Sequence, residues 1–138
     1  MVLPVGRSFY VETRFGRVKG FRYAADSGRT DAPVVVVQGG ISGSGQLWKL
    51  DGSGWWQSLY SVFAPADDVQ VISFDYLGGV GGSDTPDQPL TVAQHAQAYA
   101  DALVKLGLTD ISAWLGGSFG GVLGLQLAAT NKQVDLKR

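Results

Sequence analysis

One serine in a glycine-rich segment has the surroundings of a catalytic nucleophile. Ser118 lies in the sequence LGGSFGG (residues 115–121), with glycine two positions before it and two positions after it. Apolar residues 111–115 predict a strand before this segment, and residues 122–129 predict a helix after it. The simplest alternative is a glycine-rich turn with an incidental serine. However, G-x-S-x-G between a strand and a helix is typical of the nucleophile elbow, a sharp turn that lifts the serine hydroxyl toward a substrate. We therefore predict that Ser118 is a nucleophile.

A serine nucleophile also needs two N–H groups that stabilise the negative charge developing on the substrate oxygen. In elbow-type sites one donor is the residue after the serine, here Phe119, and the other lies in the loop after an earlier strand. The β-branched run at residues 34–37 predicts that strand, and residues 39–42 (GGIS) follow it. We assign the second donor to the N–H of Ile41. The alternative is that this loop is an ordinary glycine-rich connection.

The general base and its orienting acid do not occur where this chemistry needs them. In elbow-type sites an acid and then a histidine follow the serine along the chain. The single histidine, His95, precedes Ser118 and falls on a predicted helix, where we expect a surface position and no catalytic role. The single acid after Ser118 is Asp135, in a polar tail at residues 131–138. The sequence therefore supplies a nucleophile and two oxyanion donors, but neither base nor acid.

Three other patterns have competing interpretations. An aromatic group either lines a substrate entrance or packs a helix on the sheet, the usual role of aromatic residues at helical spacing; its members are Trp48, Trp55, Trp56 and Tyr60. Asp75 and Asp84 could form a carboxylate pair, but we predict that they occupy strand-end and turn positions. The glycine-rich loops match neither G-x-G-x-x-G after a strand nor the P-loop pattern, so a phosphate-cradling function has no support.

The elements that position these residues indicate an α/β fold. Five strands are predicted, at residues 8–13, 18–24, 34–37, 69–74 and 111–115, and three helices, at residues 55–63, 91–106 and 122–129. The first two strands read as an antiparallel hairpin, after which strands and helices alternate. This order predicts a mostly parallel sheet with helices on both faces. The helix at residues 122–129 is apolar nearly all round, which predicts burial between layers.

The composition limits the class of protein further. The chain is 45% hydrophobic and 17% charged, with a net charge of −1, so it is globular and lacks the basic surface of a nucleic-acid-binding protein. It contains no cysteine, which excludes disulfides and cysteine-based metal sites and fits a reducing compartment. No signal peptide pattern and no apolar run of membrane-spanning length is present. We therefore expect a cytoplasmic protein without nucleic-acid or membrane partners.

Four segments, in this order, resemble the homoserine O-acyltransferases: residues 34–42 (VVVVQGGIS), 54–56 (GWW), 77–83 (LGGVGGS) and 116–121 (GGSFGG). The resemblance covers about residues 32–129. That family consists of α/β-hydrolase-fold enzymes of methionine biosynthesis. The resemblance implies acyl transfer from acetyl-CoA or succinyl-CoA to the hydroxyl of L-homoserine through an acyl group on Ser118. It also implies acyl-CoA as co-substrate, with no bound cofactor and no metal.

The acid and the histidine of that family belong to a later part of the fold. We therefore expect residues 1–138 to form one partial α/β-hydrolase domain, cut before the strand that should follow Leu136 and inactive by itself. Two other functions stay open: a serine esterase or other hydrolase of the same fold, and a non-catalytic half-domain that acts by association. We also expect self-association through the apolar helix and through an open sheet edge at residues 111–115.

Overall fold

The computed structural model describes residues 6–23, 31–59 and 69–137. These residues contain six strands and two full helices. In chain order they are β1 (Arg7–Thr13), β2 (Gly16–Tyr23), β3 (Val34–Gln38), β4 (Gln70–Phe74), α1 (Val92–Lys105), β5 (Asp110–Gly116), α2 (Phe119–Thr130) and β6 (Asp135–Leu136). The strands form one sheet in the order β1-β2-β4-β3-β5-β6.

The sheet is mostly parallel, as the sequence predicts. The β1–β2 hairpin is antiparallel and continues antiparallel onto β4, whereas β4, β3, β5 and β6 are parallel to one another. The carboxyl ends of β3 and β5 are adjacent, because Gln38 pairs with Gly116. The loop after β3 and the segment around Ser118 therefore leave the sheet side by side.

Alternating residues of the central strands belong to two separate cores. Val34 and Val36 of β3 face the core that contains both helices, whereas Val35 and Val37 face a second core covered by the loop after β3. This division follows from the period of two along a strand. Because all five residues of β3 are buried, a polar residue in this strand needs an internal partner.

Helix α1 begins and ends as its sequence predicts. The hydroxyl of Thr91 accepts a hydrogen bond from the N–H of Gln94, and the Gln94 side chain accepts one from the N–H of Thr91, which completes a capping box. Gly107, with φ +73°, follows the last turn, where a left-handed residue is the usual helix stop. In the ranges that the structure describes, no helix has both the length and the apolar character of a membrane span.

Helices α1 and α2 pack against the same face of the sheet, in one core, whereas Trp56 and Leu59, from the predicted helix at residues 55–63, pack in the core on the other face. Two sequence predictions about the elements need correction. Of the predicted helix at residues 55–63, residues 55–58 form turns, Leu59 is helical, and residues 60–63 lie outside the described part of the chain. The predicted polar tail contains β6, which pairs with Asp110 and Ile111, so the next strand of the sheet begins before Leu136 rather than after it.

Helix α2 is also less buried than its apolar sequence predicts. Leu123 and Leu127 are buried in the helix-side core, but Val122 is 47% exposed and Leu125 is 76% exposed. One face of the helix packs on the sheet and on α1, and the other carries apolar side chains into solvent. The expected burial between two layers is therefore wrong for the described chain.

Candidate active site

Ser118 has the backbone geometry of a nucleophile elbow. It lies two residues after the end of β5 and directly before Phe119, the first residue of α2, with φ 51° and ψ −123°. It is the one non-glycine residue with positive φ among the described residues. Such a conformation is strained for an L-residue and persists only where the surroundings enforce it. The side chain caps no backbone group of the helix and the residue is exposed, so the hydroxyl is accessible to a substrate.

Two glycines make this turn sterically possible. A Cβ atom at Gly116 would lie 2.5 Å from the carbonyl carbon of Gly120, and a Cβ at Gly120 would lie 2.7 Å from the carbonyl oxygen of Gly39. Both distances are well below van der Waals contact. The G-x-S-x-G pattern thus reflects two close backbone approaches, one across the elbow and one between α2 and the end of β3.

The loop after β3 reaches the same place. A Cβ at Gly40 would lie 3.8 Å from the Cβ of Ser118, so the two backbones are neighbours. A β-turn closed by the hydrogen bond from the Gly43 N–H to the Gly40 carbonyl, 2.9 Å long, has Ile41 at its second position. In the described ranges, the N–H groups of Ile41 and Phe119 donate to no protein acceptor. Both predicted oxyanion donors are therefore available to a ligand.

Buried side chains hold the first residue of this loop. The Gln38 side chain donates to the carbonyl of Phe74 and accepts from its N–H, at 2.9 and 3.1 Å, which extends the β3–β4 ladder beyond its last backbone pair. The Tyr76 hydroxyl donates to the carbonyl of Gly39. Burial raises the pKa of Tyr76 to about 12, so this hydroxyl keeps its proton at neutral pH.

Two aromatic residues fix the far part of the loop. The Trp55 indole N–H donates to the carbonyl of Ser44 at 2.6 Å, and its ring covers Gly39 and Gly43. The ring of Trp56 stacks on that of Trp55, with centroids 4.9 Å apart and an interplanar angle of 13°. Loop packing therefore accounts for Trp55, while Trp56 also reaches the elbow, since a Cβ at Gly117 would lie 3.4 Å from its ring.

The remaining candidates have the following positions. Trp48 is buried in the second core against Tyr23, a packing role, and Tyr60 lies outside the described residues. Asp75 and Asp84 form no carboxylate pair; each accepts backbone hydrogen bonds at a strand end or in a turn, as predicted. In the part of the chain that the structure describes, no group of three His, Cys, Asp or Glu side chains could hold a metal.

The prediction that His95 is a surface residue is wrong. His95 is 6% exposed and packs edge-to-face against Tyr76 and Phe119, with ring centroids 6.2 and 5.5 Å away. Burial lowers its pKa below the usual value of 6.5, so the ring is neutral at physiological pH. Among the described residues, no hydrogen bond joins His95 to Ser118. The His95 ring therefore packs against Phe119, the residue after the nucleophile, and does not bind the Ser118 hydroxyl.

Sequence reasoning missed the residues that shape the loop after β3. Gln38 is a polar residue at the end of an otherwise apolar β-branched run, which was a signal that its amide needs a specific partner. No such local signal marks Tyr76, whose partner lies 37 positions away in the sequence.

Comparison with known proteins places this geometry in a family. Residues 32–135 match the alpha/beta hydrolase fold family. Homoserine O-succinyltransferase from Xanthomonas campestris pv. campestris is 34% identical over 107 residues, which cover 74% of this chain and 28% of that protein. The candidate carbamate hydrolase RutD from Enterobacter cloacae subsp. cloacae is 34% identical over 97 residues, covering 70% of this chain and 32% of RutD.

Solved structures agree with this fold. Homoserine O-acetyltransferase from Staphylococcus aureus superimposes with a TM-score of 0.78 and 22% identity, over 96% of this chain and 44% of that one. Naproxen esterase from Bacillus subtilis gives a TM-score of 0.71 and 22% identity, over 95% and 41% of the two chains. The chain thus spans about a third of these curated relatives and less than half of these structures. The chain belongs to the alpha/beta hydrolase fold family.

Proposed function

We propose that this chain carries the nucleophile side of a serine acyltransferase site. Ser118 attacks the thioester carbon of acyl-CoA, the bond to sulfur breaks, and free CoA leaves with the serine proton. The hydroxyl of L-homoserine then attacks the acyl-serine ester, which gives O-acylhomoserine and regenerates Ser118. Such a two-step transfer through a covalent intermediate replaces one difficult step by two easier ones.

The observation that carries this proposal is the strained, exposed Ser118 beside two N–H groups that donate to no protein acceptor among the described residues. Ser118 has a φ of 51° and lies at the start of α2, next to the turn that holds Ile41. Donors that are fixed before the reaction stabilise the developing oxyanion without reorganisation, which is the largest single contribution in many acyl-transfer enzymes. The choice of acyl-CoA and homoserine is supported by the similarity to the Xanthomonas homoserine O-succinyltransferase. We propose that the reaction belongs to methionine biosynthesis in the cytoplasm, as the resemblance to the homoserine O-acyltransferases implies.

None of the described residues that contact Ser118 can act as the general base of this reaction. His95 is the single histidine of the sequence and is enclosed by aromatic rings. Asp135, the single acid after the nucleophile, lies in β6 at the opposite end of β5 from Ser118. We propose that a histidine and an acid complete the site, and that they belong to a segment corresponding to the part of the relatives that this chain does not span.

A hydrolase is the second candidate, because the same site can pass the acyl group to water. The similarity to RutD, equal in identity to that of the succinyltransferase, supports this alternative. The two functions share the acylation of Ser118 and differ only in the acceptor of the acyl group. A fold alone does not decide between them.

Mass spectrometry of the chain after incubation with acetyl-CoA or succinyl-CoA tests the shared step. We expect one acyl group on the peptide that contains Ser118, and none in the Ser118→Ala variant. Adding L-homoserine then separates the alternatives. Loss of the label together with O-acylhomoserine supports transfer, whereas loss to free carboxylic acid at the same rate with and without homoserine supports hydrolysis. Because no base contacts Ser118 in the described chain, the label should accumulate over hours rather than seconds, and its complete absence after such an incubation contradicts both functions.

A further inference from the structure

Asp75 connects the two glycine-rich loops at the mouth of the sheet. It follows the last residue of β4 and is 2% exposed. One carboxylate oxygen, Oδ1, accepts the N–H of Gly45 at 2.6 Å, in the loop after β3. The other, Oδ2, accepts the N–H of Gly82 at 2.8 Å, in the loop after β4. A single buried carboxylate therefore joins two loops that are 30 or more residues apart in sequence from one another.

The position of Gly45 makes this contact relevant to the site. The β-turn with Ile41 runs from Gly40 to Gly43, with Gly39 directly before it and Gly45 two positions after its end. Tyr76 holds the loop before the turn through the Gly39 carbonyl, and Asp75 holds it after the turn through the Gly45 N–H. Two consecutive residues after β4 thus fix the loop on both sides of the turn that presents the Ile41 N–H.

The two hydrogen bonds to the Asp75 carboxylate form a clamp that restricts the movement of both loops. In the described ranges Asp75 forms no ion pair, so backbone N–H groups are its partners in a buried place. Hydrogen bonds to an ionised acceptor are shorter and stronger than those between neutral groups. Displacing either loop would leave a buried carboxylate oxygen without a donor, which is unfavourable. The two loops therefore hold one another in place through this side chain.

We propose that Asp75 is a positioning residue of the site, which presets the oxyanion pocket beside Ser118 by fixing the turn that carries Ile41. Asp75 does not touch the substrate in this proposal and acts through the loop after β3. The inference rests on the proposed function, because an oxyanion pocket has meaning only if Ser118 is acylated.

Amide hydrogen exchange in the wild-type chain tests the clamp without any substrate. We expect the Gly45 and Gly82 amides to exchange slowly although both lie in loops, and the free Ile41 and Phe119 amides to exchange fast. In Asp75→Asn, one of the two N–H groups faces an amide NH₂ instead of an oxygen, so at least one of Gly45 and Gly82 should lose its protection. Unprotected Gly45 in the wild type, or unchanged protection in the variant, overturns the proposal.

A matched control exists in the same loop. Asp84 also accepts a backbone N–H, that of Arg17 at 2.9 Å, but it does not touch the loop after β3. We expect Asp84→Asn to leave Gly45 protected. Equal loss of Gly45 protection in Asp84→Asn and Asp75→Asn would mean that general loosening, rather than the clamp, is responsible, and would also overturn the proposal.

The role in catalysis is tested with two acetylating reagents, p-nitrophenyl acetate and its thionoester, in which sulfur replaces the carbonyl oxygen. Both place an acetyl-type group on Ser118 and release p-nitrophenol, but the sulfur anion gains much less from N–H donors. One oxyanion donor is worth about 10² to 10³ in rate. We expect the wild type to prefer the oxygen ester and Asp75→Asn to reduce that preference about tenfold or more, with Asp84→Asn unchanged.

The readouts separate the possible failures. A variant that is merely less well folded reacts more slowly with both reagents and keeps the wild-type ratio, which contradicts the positioning role. If the wild type acquires no label on Ser118 with either reagent, the proposed function fails. In that case the exchange rates of Gly45 and Gly82 still decide whether Asp75 clamps the two loops.

Discussion

At the scale of residues, the site rests on a buried layer of titratable rings. Tyr76 and His95 pack against Phe119, the residue after the nucleophile, and Tyr99 packs against Tyr76. Burial raises the pKa of both tyrosines and lowers that of the histidine, so all three are neutral at physiological pH. A neutral layer can sit beneath the nucleophile without an uncompensated buried charge, and any change in its protonation should disturb Phe119.

Removing the Tyr76 hydroxyl should destabilise the loop after β3. In Tyr76→Phe the buried carbonyl of Gly39 loses its donor, and an unsatisfied buried polar group costs about 1–3 kcal/mol. We expect the free energy of unfolding in urea to fall by that amount. Tyr10→Phe, at a position that is 51% exposed, is the control and should change it by less than about 0.5 kcal/mol. Equal stability of the two variants would contradict the role of this hydrogen bond.

His95 should make the stability of the chain depend on pH. Because burial lowers its pKa in the folded state, the unfolded chain binds the proton more readily below about pH 6.5. The contribution of His95 is therefore fully present above that pH and is lost as the pH falls toward the lowered folded pKa. Urea unfolding between about pH 7 and pH 5.5 should show this loss in the wild type. A flatter pH dependence is expected for His95→Leu, and identical slopes would contradict the assignment.

At the scale of elements, helix α2 is fastened to β5 by one indole ring. The Trp114 N–H donates to the Gly120 carbonyl at 2.9 Å, in the first turn of α2. The same ring lies against Gly124, where an added Cβ would come within 2.5 Å of the indole. The elbow is therefore held from both sides, by the Gly116–Gly120 approach and by Trp114.

Gly124→Ala should destabilise the chain although alanine favours a helix. The propensity gain is about 1 kcal/mol, but the fixed indole cannot move away from the new methyl group, and overpacking typically costs about 1–3 kcal/mol. We expect a net loss in the free energy of unfolding, with a change in tryptophan fluorescence. Leu125→Ala in the same helix, at an exposed position, should have a much smaller effect. A stabilised Gly124→Ala variant would contradict this packing.

The sequence predicted the elements better than the contacts between them. The β-branched run of β3, the Thr91 capping box and the G-x-S-x-G elbow are local patterns, and each is present in the structure. The burial of His95 and the clamp through Asp75 depend on partners tens of residues away, so no local pattern announces them. The short strand β6 escaped prediction because only two residues pair, within a polar segment.

At the scale of the whole molecule, the missing base should limit turnover. Ser118 contacts no histidine in the described chain, and loss of a triad member typically costs on the order of 10⁴ to 10⁶ in rate. We expect the purified 138-residue chain to release CoA from acyl-CoA with homoserine far below about 1 per second, an ordinary enzyme rate. A rate at or above that value would mean that a base reaches Ser118 by a route absent from the described contacts.

The surface of the 138-residue chain should drive self-association. Within the described ranges, β6 pairs with only the first two residues of β5, so the rest of that strand offers unpaired backbone groups on one side. The exposed Val122 and Leu125 of α2 add apolar area. We expect light scattering to give a mass above that of a monomer, and Leu125→Lys to lower the oligomer fraction, because a charge there opposes burial of the helix face. Exposed Lys132→Ala is the control and should leave the mass unchanged. A wild-type chain that stays monomeric at high concentration would show that neither the strand edge nor the helix face binds a second copy, and would contradict this prediction.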